Sequence, residues 1–377
     1  MKPALRIDLD AVRHNVGLWR EHSGRPVWAV VKCDAYRLGA TSIGQAALAG
    51  GAERLCVVDI AEAEALRADG ITAPIVQICA TPRGDLERAL EAGVVASVQD
   101  VADAAALSRL ALSRGRPVHV HVAIDSGSGW SGVPASSAAA FGRAAAALPG
   151  LFWEAAWTHI AGRPSLDSQR ETFEQAVQTL RQQGLALPLV HFASTGPSLW
   201  AHAQGASRIG IGLYGSTMGE PHASSLPLRT ALELRAPVYM VRRFTESTPL
   251  GYGGSYVAQA GEAIVTLRIG YGEGVPRSLS GRGSALVGAT SCPIVGTIGM
   301  NFTMLAWPAE IKPPEVGDEA LLLADKTGLR LDEVARAADM VPHNVVTLVG
   351  SSLQPEYVGL AAQPDRPIVQ SIVNQAL

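Results

Sequence analysis

Short apolar runs alternate with segments of helical character from residue 27 to about residue 215, and this alternation constrains the fold of the chain most strongly. The runs have strand length and are rich in β-branched and aromatic residues, which is typical of buried strands. Eight such runs occur, at residues 28–31, 55–58, 74–79, 94–98, 118–124, 152–158, 189–192 and 206–209. Eight strands separated by helices within about 190 residues predict a (β/α)8 TIM-like barrel.

Two of the intervening segments have clear helical character. Residues 100–114 are rich in alanine and leucine, and residues 167–183 begin with an aspartate and are followed by Gly184. Aspartate is a favoured helix N-cap, and glycine commonly follows the last helical residue. We therefore predict helices over both segments, with Asp167 capping the second.

A single lysine, Lys32, follows the first apolar run, and Tyr36 comes four positions later. A lysine at the end of an apolar strand is costly to desolvate unless it is paired or used. A desolvated amine loses its proton easily and becomes a nucleophile able to form a Schiff base. The alternative is that Lys32 only extends from the strand end into water.

Polar residues stand at the C-terminal ends of several other predicted strands, where a barrel places its active site. They are Asp59, Asp125, His159, Ser194, Thr195 and Arg208. This convergence favours a functional role for Lys32, whereas Asp59 and Asp125 are better explained as helix caps or loop formers. The glycine-rich stretch 208–215 would let backbone N–H groups approach a phosphate closely, although such turns are common.

The pattern changes after about Arg229, where short strands and Gly/Pro turns replace the long helical segments. Strands are predicted at 236–242, 262–269, 284–287 and 294–300. We therefore predict two domains, a barrel at 1–228 and a mainly-β domain at 229–377. Within the second, glycines flank Tyr271 in a short loop, which either exposes this ring or packs it in a turn.

Composition excludes several kinds of protein. The 377 residues carry a net charge of −3, which suggests neither nucleic acid nor an anionic membrane as partner. No apolar run reaches the ~18 residues of a membrane span, and the start of the chain lacks the apolar core of a signal peptide. Cys33, Cys56, Cys79 and Cys292 have no metal-ligand spacing, so we expect free thiols, no metal and a cytoplasmic location.

Motifs in both predicted domains resemble those of the alanine racemases, which bind pyridoxal phosphate (PLP). They lie at residues 7–15, 29–36, 158–159, 191–195, 208–215, 270–271 and 293–300. Because these motifs occur in the family's order over most of the chain, the resemblance also implies a barrel followed by a β-domain. A homodimer with active sites shared between the subunits is implied as well.

The resemblance implies a role for each matching residue. Lys32 would hold PLP covalently, Arg208 would face its pyridine nitrogen, and Tyr271 would be a second base reaching the site from the partner subunit. The phosphate would be held by Tyr36, Thr195, Tyr357 and the backbone of Gly210 and Ile211. His159 would lie between Arg208 and the tyrosine, and the main chain at Met300 would help to hold the substrate carboxylate.

These residues suggest a two-base reaction. Lys32 and Tyr271 would act on opposite faces of the substrate's Cα, and a tyrosine of pKa about 10 needs positive neighbours for this. The pair His159 and Arg208 is our candidate for that charge. The permanent charge of Arg208 would also keep the pyridine nitrogen unprotonated, which suits proton exchange.

Several positions depart from the family pattern. A family lysine is replaced by Ala123 and an arginine by Trp130, and both would lie on the substrate side of the site. Further differences are Gly272, Glu273, Val275, Asn301, Ser352 and Pro355. Loss of one oriented charged contact costs roughly 1.5–3 kcal/mol, or one to two decades in rate. These departures are compatible with slow alanine racemisation and also with a different substrate. Trp130 could bind or exclude a substrate side chain larger than methyl.

We therefore predict a PLP-dependent amino-acid racemase that acts on alanine or a related small or polar amino acid. The alternative is a PLP enzyme of the same fold with an aldol-type activity, a carbon–carbon lyase or transferase acting at Cα. A PLP carrier without catalysis fits less well, because it would leave the β-domain and Tyr271 without a purpose.

Overall fold

The computed structural model describes residues 2–200, 204–220 and 226–359. These residues form two compact units between which the chain passes several times. The first, here called the barrel unit, comprises Trp19–Cys33 and Gly44–Gly210, and the second, the β-unit, comprises residues 2–18, Asp34–Ile43 and Ile211–Val358. The chain therefore leaves the barrel unit directly after Lys32 and Cys33.

The strands and helices are numbered in chain order. The strands are β1 (Ala4–Asp8), β2 (Val27–Val30), β3 (Arg54–Val57), β4 (Ile75–Gln77), β5 (Val94–Val98), β6 (Val118–Asp125), β7 (Val133–Pro134), β8 (Leu151–Trp157), β9 (Leu189–His191), β10 (Ser207–Ile209), β11 (Leu232–Arg243), β12 (Thr248–Leu250), β13 (Tyr256–Ala258), β14 (Ala263–Leu267), β15 (Ser284–Val287), β16 (Thr290–Val295), β17 (Thr303–Trp307), β18 (Glu319–Leu323) and β19 (Pro355–Val358). The helices are α1 (Leu9–Ser23), α2 (Lys32–Arg37), α3 (Ala40–Ala49), α4 (Ile60–Ala68), α5 (Leu86–Glu91), α6 (Val101–Arg114), α7 (Ala138–Ala146), α8 (Leu166–Gln182), α9 (Thr195–Trp200), α10 (Leu331–Ala337) and α11 (Pro342–Ser352).

A parallel sheet in the order β10-β2-β3-β4-β5-β6-β8-β9 forms the barrel unit, with the short β7 beside β6. A parallel bridge between Ser194 and Arg208 and a 2.8 Å hydrogen bond from the Arg208 N–H to the Ala193 carbonyl bring its two ends together. The prediction of a TIM-like barrel is confirmed, and each of the eight predicted strands is present. In such a sheet the C-terminal strand ends, including the end of β2 at Lys32, face the same side.

The two predicted helices are present, but one cap differs from the prediction. Helix α6 begins after Asp100, whose carboxylate accepts the Asp103 N–H at 2.7 Å. Helix α8 begins at Leu166 with Ser165 in the N-cap position, so the prediction that Asp167 caps it is wrong. A 3₁₀ turn over Arg163–Ser165 starts the helical path early, which places Asp167 in the first turn instead.

The β-unit is built on a mixed sheet in the order β14-β17-β16-β15-β18-β11-β1-β19, with β14 also pairing with β11. The prediction of a mainly-β second part is confirmed; most of the strand pairs are antiparallel, whereas β1 and β19 are parallel. The predicted strand 294–300 ends earlier, at Val295, because Gly296 turns the chain with a φ of 66°. Helices α10 and α11 were not predicted.

The same sheet uses residues from both sides of the predicted boundary at 228/229, because β1 pairs with β11. The division into domains 1–228 and 229–377 stays a prediction, and residues 360–377 lie outside the described part. Within residues 2–200, 204–220 and 226–359, none of the helices combines the length and the apolar character that crossing a membrane requires.

Candidate active site

Lys32 follows the buried end of β2. The Val31 N–H donates to the Cys56 carbonyl at 2.9 Å, so the strand pairing continues to the residue before the lysine. Burial, followed by the charges of Arg208 and Lys32, lowers the pKa of His159 to about 4. The structure therefore brings together three of the predicted site residues, Lys32, His159 and Arg208, at the ends of the barrel strands, and His159 is neutral at pH 7.

Trp130 stacks on His159, with ring centroids 5.2 Å apart and an interplanar angle of 21°. One carboxylate oxygen of Asp125 shapes the loop that carries this indole by accepting the backbone N–H groups of Gly127, Ser128 and Gly129 at 2.9, 3.0 and 3.1 Å. Asp125 is thus a loop former, as expected. Trp130 is 73% exposed, so one face of its ring covers the histidine and much of the rest is accessible.

Within α2 the backbone is left-handed immediately after Lys32, unlike that of an ordinary α-helix. Five consecutive residues, Cys33 to Arg37, have φ between 51° and 70°. For L-residues this conformation costs roughly 1–2 kcal/mol each and rarely extends beyond one residue. In the barrel unit the Glu62 carboxylate accepts the Cys33 N–H, and in the β-unit Tyr214 donates to the Ala35 carbonyl at 2.7 Å. The turn is thus held by contacts with residues far away in the sequence.

Arg208 is buried in the barrel unit without a carboxylate partner among the described residues. Its two terminal nitrogens donate to His191 Nδ1 (2.6 Å) and to the carbonyls of His191 (2.8 Å), Thr158 (2.9 Å) and Phe192 (3.2 Å). Burial lowers the pKa of Arg208 to about 10, so the guanidinium is still charged at neutral pH. These four bonds leave the Nε–H without a partner in the described part of the chain.

A chain of buried hydrogen bonds continues from Arg208 to Glu154. His191 Nε2 lies 3.2 Å from His121 Nδ1, and His121 Nε2 lies 3.2 Å from Glu154 Oε2. Since a guanidinium only donates, His191 Nδ1 must accept, which places its proton on Nε2 and in turn the proton of His121 on its own Nε2. Burial lowers the pKa of both histidines, which agrees with two neutral rings each donating toward Glu154.

Glu154 is the anionic end of this chain. Burial acts to raise the pKa of its carboxyl, but the neighbouring His119, His121 and Arg54 side chains outweigh it and hold the pKa well below the usual range. Arg54 approaches Glu154 at 2.6 Å. Neither Glu154 nor His121 was a predicted site residue, and His191 was noted only as part of a motif. A carboxylate inside the apolar run 152–158 was the available signal, because a buried charge requires partners.

The residues predicted to hold a phosphate lie in both units. In the barrel unit the Gly210 N–H donates to the Thr195 hydroxyl at 3.3 Å. In the β-unit Ile211 is buried in a 3₁₀ turn, and Tyr36 packs edge-on against Tyr214 with centroids 5.6 Å apart. The Tyr357 hydroxyl, also in the β-unit, donates to the Leu38 carbonyl at 2.9 Å.

Tyr271 and Met300 lie in two β-unit loops that are bonded to each other. The Tyr271 N–H donates to the Gly299 carbonyl (3.0 Å), and the Gly272 N–H donates to the Met300 carbonyl (2.8 Å). The Tyr271 side chain is 43% exposed and lines a cavity of about 660 Å³ with Tyr252, Arg277 and Ile298. The backbone is thus fixed, while the phenol stays accessible.

Two of the departures from the family pattern contact each other. The Asn301 amide donates to Glu273 Oε1 at 2.9 Å, and the other oxygen of Glu273 accepts the Gly270 N–H at 2.9 Å. Val275 is buried, and its N–H donates to the Gly270 carbonyl at 3.1 Å. These changes therefore form one packing arrangement that supports the loop of Tyr271.

Ser352 and Pro355 line a separate cavity of about 330 Å³ in the β-unit, together with Asp34, Arg37 and Tyr357. Ala123 is buried in β6, so no charge enters the barrel unit at that position. The barrel side of the site therefore has Arg208 and Lys32 as cations but an aromatic ring at position 130.

Family models for two consecutive domains match nearly the whole chain. The model "Alanine racemase, N-terminal domain" matches residues 7–218, and "Alanine racemase, C-terminal domain" matches residues 231–357. The chain belongs to the alanine racemase family. The resemblance inferred from the motifs is thereby confirmed.

Individual alanine racemases agree with this over more than nine-tenths of their length. The alanine racemase of Symbiobacterium thermophilum is 31% identical over 96% of this chain and 99% of its own, and that of Desulfosudis oleivorans is 32% identical over 91% and 93%. The crystal structure of alanine racemase from the D-cycloserine producer Streptomyces lavendulae has a TM-score of 0.87 at 28% identity, covering 95% of this chain and 97% of its own. The alanine racemase of Streptomyces coelicolor A3(2) has a TM-score of 0.85 at 28% identity, covering 95% and 98%.

Membership of this family makes the chain a racemase-type enzyme, an isomerase. The relatives and structures named above are alanine racemases, so the comparisons give no support to the aldol-type alternative.

Proposed function

We propose that this chain is a PLP-dependent racemase of alanine or a related small or polar amino acid, with Lys32 and Tyr271 as its two bases. The observation that carries the proposal is the environment of Arg208, a buried cation whose partners among the described residues are all neutral.

The surroundings of Arg208 fit the pyridine ring of PLP. Four of its five N–H groups are already bonded to His191, Thr158 and Phe192, which fixes the guanidinium plane. The remaining Nε–H can donate to a ring nitrogen, provided that this nitrogen is unprotonated and accepts. An always-charged guanidinium favours that unprotonated state. A carboxylate in the place of Arg208 would instead favour the protonated ring nitrogen.

The residues that would hold the cofactor follow from the same proposal. Lys32 would bind it covalently and Arg208 would contact its ring nitrogen. The phosphate would be held by Tyr36, Thr195, Tyr357 and the backbone of Gly210 and Ile211. Bound PLP withdraws electrons from the amino acid joined to it and so makes the Cα–H acidic.

In each direction of the reaction, one base removes the proton from Cα and the other delivers a proton to the opposite face. Lys32 Nζ removes or returns the proton on one face of Cα, and Tyr271 Oη does so on the other face. Arg208 is the positive group that favours ionisation of the tyrosine, because His159, with a pKa of about 4, is neutral at pH 7. His159 can therefore accept or donate a hydrogen bond beside Tyr271 without adding charge.

Trp130 and Met300 would contact the substrate. The accessible part of the Trp130 ring offers an apolar wall beside His159, and it supplies no charge for a carboxylate. The backbone at Met300 would help to hold the substrate carboxylate. Tyr271 and Met300 would come from the partner subunit of a homodimer, in agreement with the 43% exposure of the tyrosine in the single chain.

Solvent exchange tests the proposal directly. The purified protein with PLP is incubated in D₂O with single-enantiomer amino acids, and loss of Cα–H is followed by NMR together with chirality. Deuterium incorporation with inversion is expected, and Lys32→Ala and Tyr271→Phe should each abolish the inversion. Wild-type racemisation by both variants would refute the two-base assignment.

Other outcomes of this experiment contradict the proposal in different ways. Exchange with retention on a single enantiomer would mean that one base works alone, which refutes racemisation. Absence of exchange on every amino acid would also refute it, and products that depend on an added aldehyde would then point to another PLP reaction.

A further inference from the structure

Glu62, in the first turn of α4, connects the ends of two barrel strands at Lys32. One of its carboxylate oxygens accepts the N–H of Cys33, the residue after the lysine. The other accepts the N–H groups of Val58 (3.0 Å) and Asp59 (3.1 Å), at the end of β3. One side chain therefore bonds three backbone groups that belong to neighbouring strand ends.

The bond to Val58 and Asp59 has an ordinary structural purpose. Asp59 is the N-cap of α4, and its own carboxylate accepts the Ala61 N–H at 2.9 Å. The Glu62 carboxylate in turn accepts the backbone N–H of the N-cap residue, Asp59, and this pair of bonds forms a capping box. Helix capping explains one oxygen of Glu62, but it does not require the other oxygen to bind Cys33.

The bond to Cys33 acts on the backbone that carries Lys32. Cys33 has a φ of 54° and is the first left-handed residue after the strand. Its N–H belongs to the peptide plane that joins it to Lys32, so holding this group fixes the carbonyl end of the lysine. Glutamine in place of Glu62 has a single acceptor oxygen, and its amide group would face the Cys33 N–H as a second donor.

We propose that Glu62 is a positioning residue for Lys32, which fixes the peptide after the lysine so that its amine meets PLP and the substrate in a reactive orientation. This role rests on the proposed PLP chemistry, but Glu62 itself touches neither cofactor nor substrate. A lysine that both binds the cofactor and moves a proton depends on accurate placement, because small displacements of reacting groups slow reactions strongly.

Three variants separate positioning from capping. In Glu62→Gln the single acceptor oxygen can keep two N–H donors, those of Val58 and Asp59, or only one, that of Cys33, so we expect the capping box to be kept and the bond to Cys33 to be lost. Glu62→Ala loses both contacts. The matched control is Glu64→Gln on the same helix, because among the described residues the exposed carboxylate of Glu64 pairs with Arg88 alone, at 2.7 and 2.9 Å.

Each variant is measured in four ways. Backbone hydrogen exchange reports protection of the Cys33 amide without cofactor, and the denaturant midpoint reports global stability. Borohydride trapping followed by peptide mass analysis gives the rate at which PLP is captured at Lys32. Steady-state kinetics of the loaded enzyme give kcat and KM separately.

For Glu62→Gln we expect faster exchange at Cys33, a denaturant midpoint close to that of the wild type, and PLP capture and kcat reduced about ten- to hundredfold. KM should change little, since the substrate contacts are intact. Glu62→Ala should show the same losses together with a lower midpoint, whereas Glu64→Gln should match the wild type in capture, kcat and Cys33 exchange.

Two results would overturn the role of Glu62 alone. Wild-type capture and kcat in a variant whose Cys33 amide exchanges faster, whether Glu62→Gln or Glu62→Ala, would show that the bond to Cys33 does not position the lysine. A fall in capture that only accompanies a fall in the denaturant midpoint would show that Glu62 acts through folding. By contrast, a wild-type protein that captures no PLP at Lys32 would refute the proposed function itself and this role with it.

Discussion

At the scale of single residues, the charge of Arg208 is connected to Glu154 through two neutral histidines. The direction of every proton in this chain follows from the fact that arginine can only donate. His191 and His121 therefore orient the guanidinium without neutralising it, which a directly bound carboxylate would do. The pair predicted from the sequence was His159 and Arg208, but the histidine that hydrogen-bonds Arg208 is His191.

Replacing His191 by phenylalanine should leave an N–H of Arg208 and the Nδ1 of His121 buried without partners. Buried polar groups of this kind cost about 1–3 kcal/mol each. We expect a lower denaturant midpoint, weaker PLP binding and a kcat at least about tenfold lower. His119→Phe is the control, because His119 meets the same carboxylate at 3.6 Å from an exposed position. Equal PLP affinities of His191→Phe and wild type would contradict a positioning role.

His159 should make stability depend on pH in a known direction. Its pKa is lowered to about 4 in the folded protein from 6.5, so below pH 6.5 the unfolded chain binds a proton that the folded chain does not. The free energy of unfolding should therefore fall as pH decreases from 6.5 toward 4, by about 1.4 kcal/mol for each pH unit from this group. Urea unfolding at several pH values should show that the free energy of unfolding falls less steeply with decreasing pH in His159→Gln than in the wild type. Equal slopes in the two proteins would contradict this contribution of His159.

At the scale of elements, loops that carry reactive side chains are fixed through their backbones. The left-handed turn after Lys32 is bonded to Glu62 in the barrel unit, and the loop of Tyr271 is bonded to that of Met300 in the β-unit. In both cases the backbone bonds leave the functional side chain itself accessible to other groups.

Gly270→Ala tests the fixation of the Tyr271 loop. A Cβ at this position would lie 2.1 Å from the Gly299 carbonyl oxygen and 2.5 Å from that of Met300, so the two loops must separate. Overpacking of this kind costs about 1–3 kcal/mol. We expect kcat to fall about tenfold or more, measured by the chirality assay. Gly84→Ala, where a Cβ meets nothing within 4 Å, serves as the control and should retain full activity.

Gly17 in α1 offers a stabilising substitution. A Cβ there meets nothing within 4 Å, and the residue lies inside a 15-residue helix. Alanine is favoured over glycine in helix interiors by about 0.8–1 kcal/mol. Gly17→Ala should therefore raise the denaturant midpoint without changing kcat, and a lowered midpoint would contradict the open space shown at this position.

At the scale of the whole molecule, the predicted site residues are divided between two units through which the chain passes repeatedly. Lys32, Trp130, His159, Thr195, Arg208 and Gly210 belong to the barrel unit, and Tyr36, Ile211, Tyr271, Met300 and Tyr357 belong to the β-unit. Under the proposed function, Tyr271 acts on the substrate held at the Lys32 of another copy of the chain.

Mixing two inactive variants tests this sharing. In a homodimer that exchanges subunits, Lys32→Ala and Tyr271→Phe chains combine at random, and each mixed dimer contains one site with both native bases. Activity should return to about a quarter of the wild-type value in an equal mixture after subunit exchange. No recovery, with mixed dimers demonstrated by mass spectrometry, would show that Lys32 and Tyr271 act within one chain.

Much of the fold was predictable because its signals are local. Each barrel strand is a short apolar run that can be recognised without knowing its neighbours, and the eight runs follow one another in sequence. The predicted strand ends therefore placed Lys32, His159 and Arg208 on the same side of the barrel, as the structure has them. Helices α10 and α11 were missed because they are short and lie among Gly/Pro-rich segments, and the start of α8 was misplaced because a 3₁₀ turn precedes it.

The sequence by itself determined the barrel, the mainly-β second part, the family and the position of Lys32 at a strand end, because periodicity and motif order are properties of neighbouring residues. Only the tertiary structure decided how these groups are held. The bond from Cys33 to Glu62 spans 29 positions, and those from His191 to His121 and from His121 to Glu154 span 70 and 33. Such contacts form when strands from distant parts of the chain become neighbours in a closed sheet, and no local pattern encodes them.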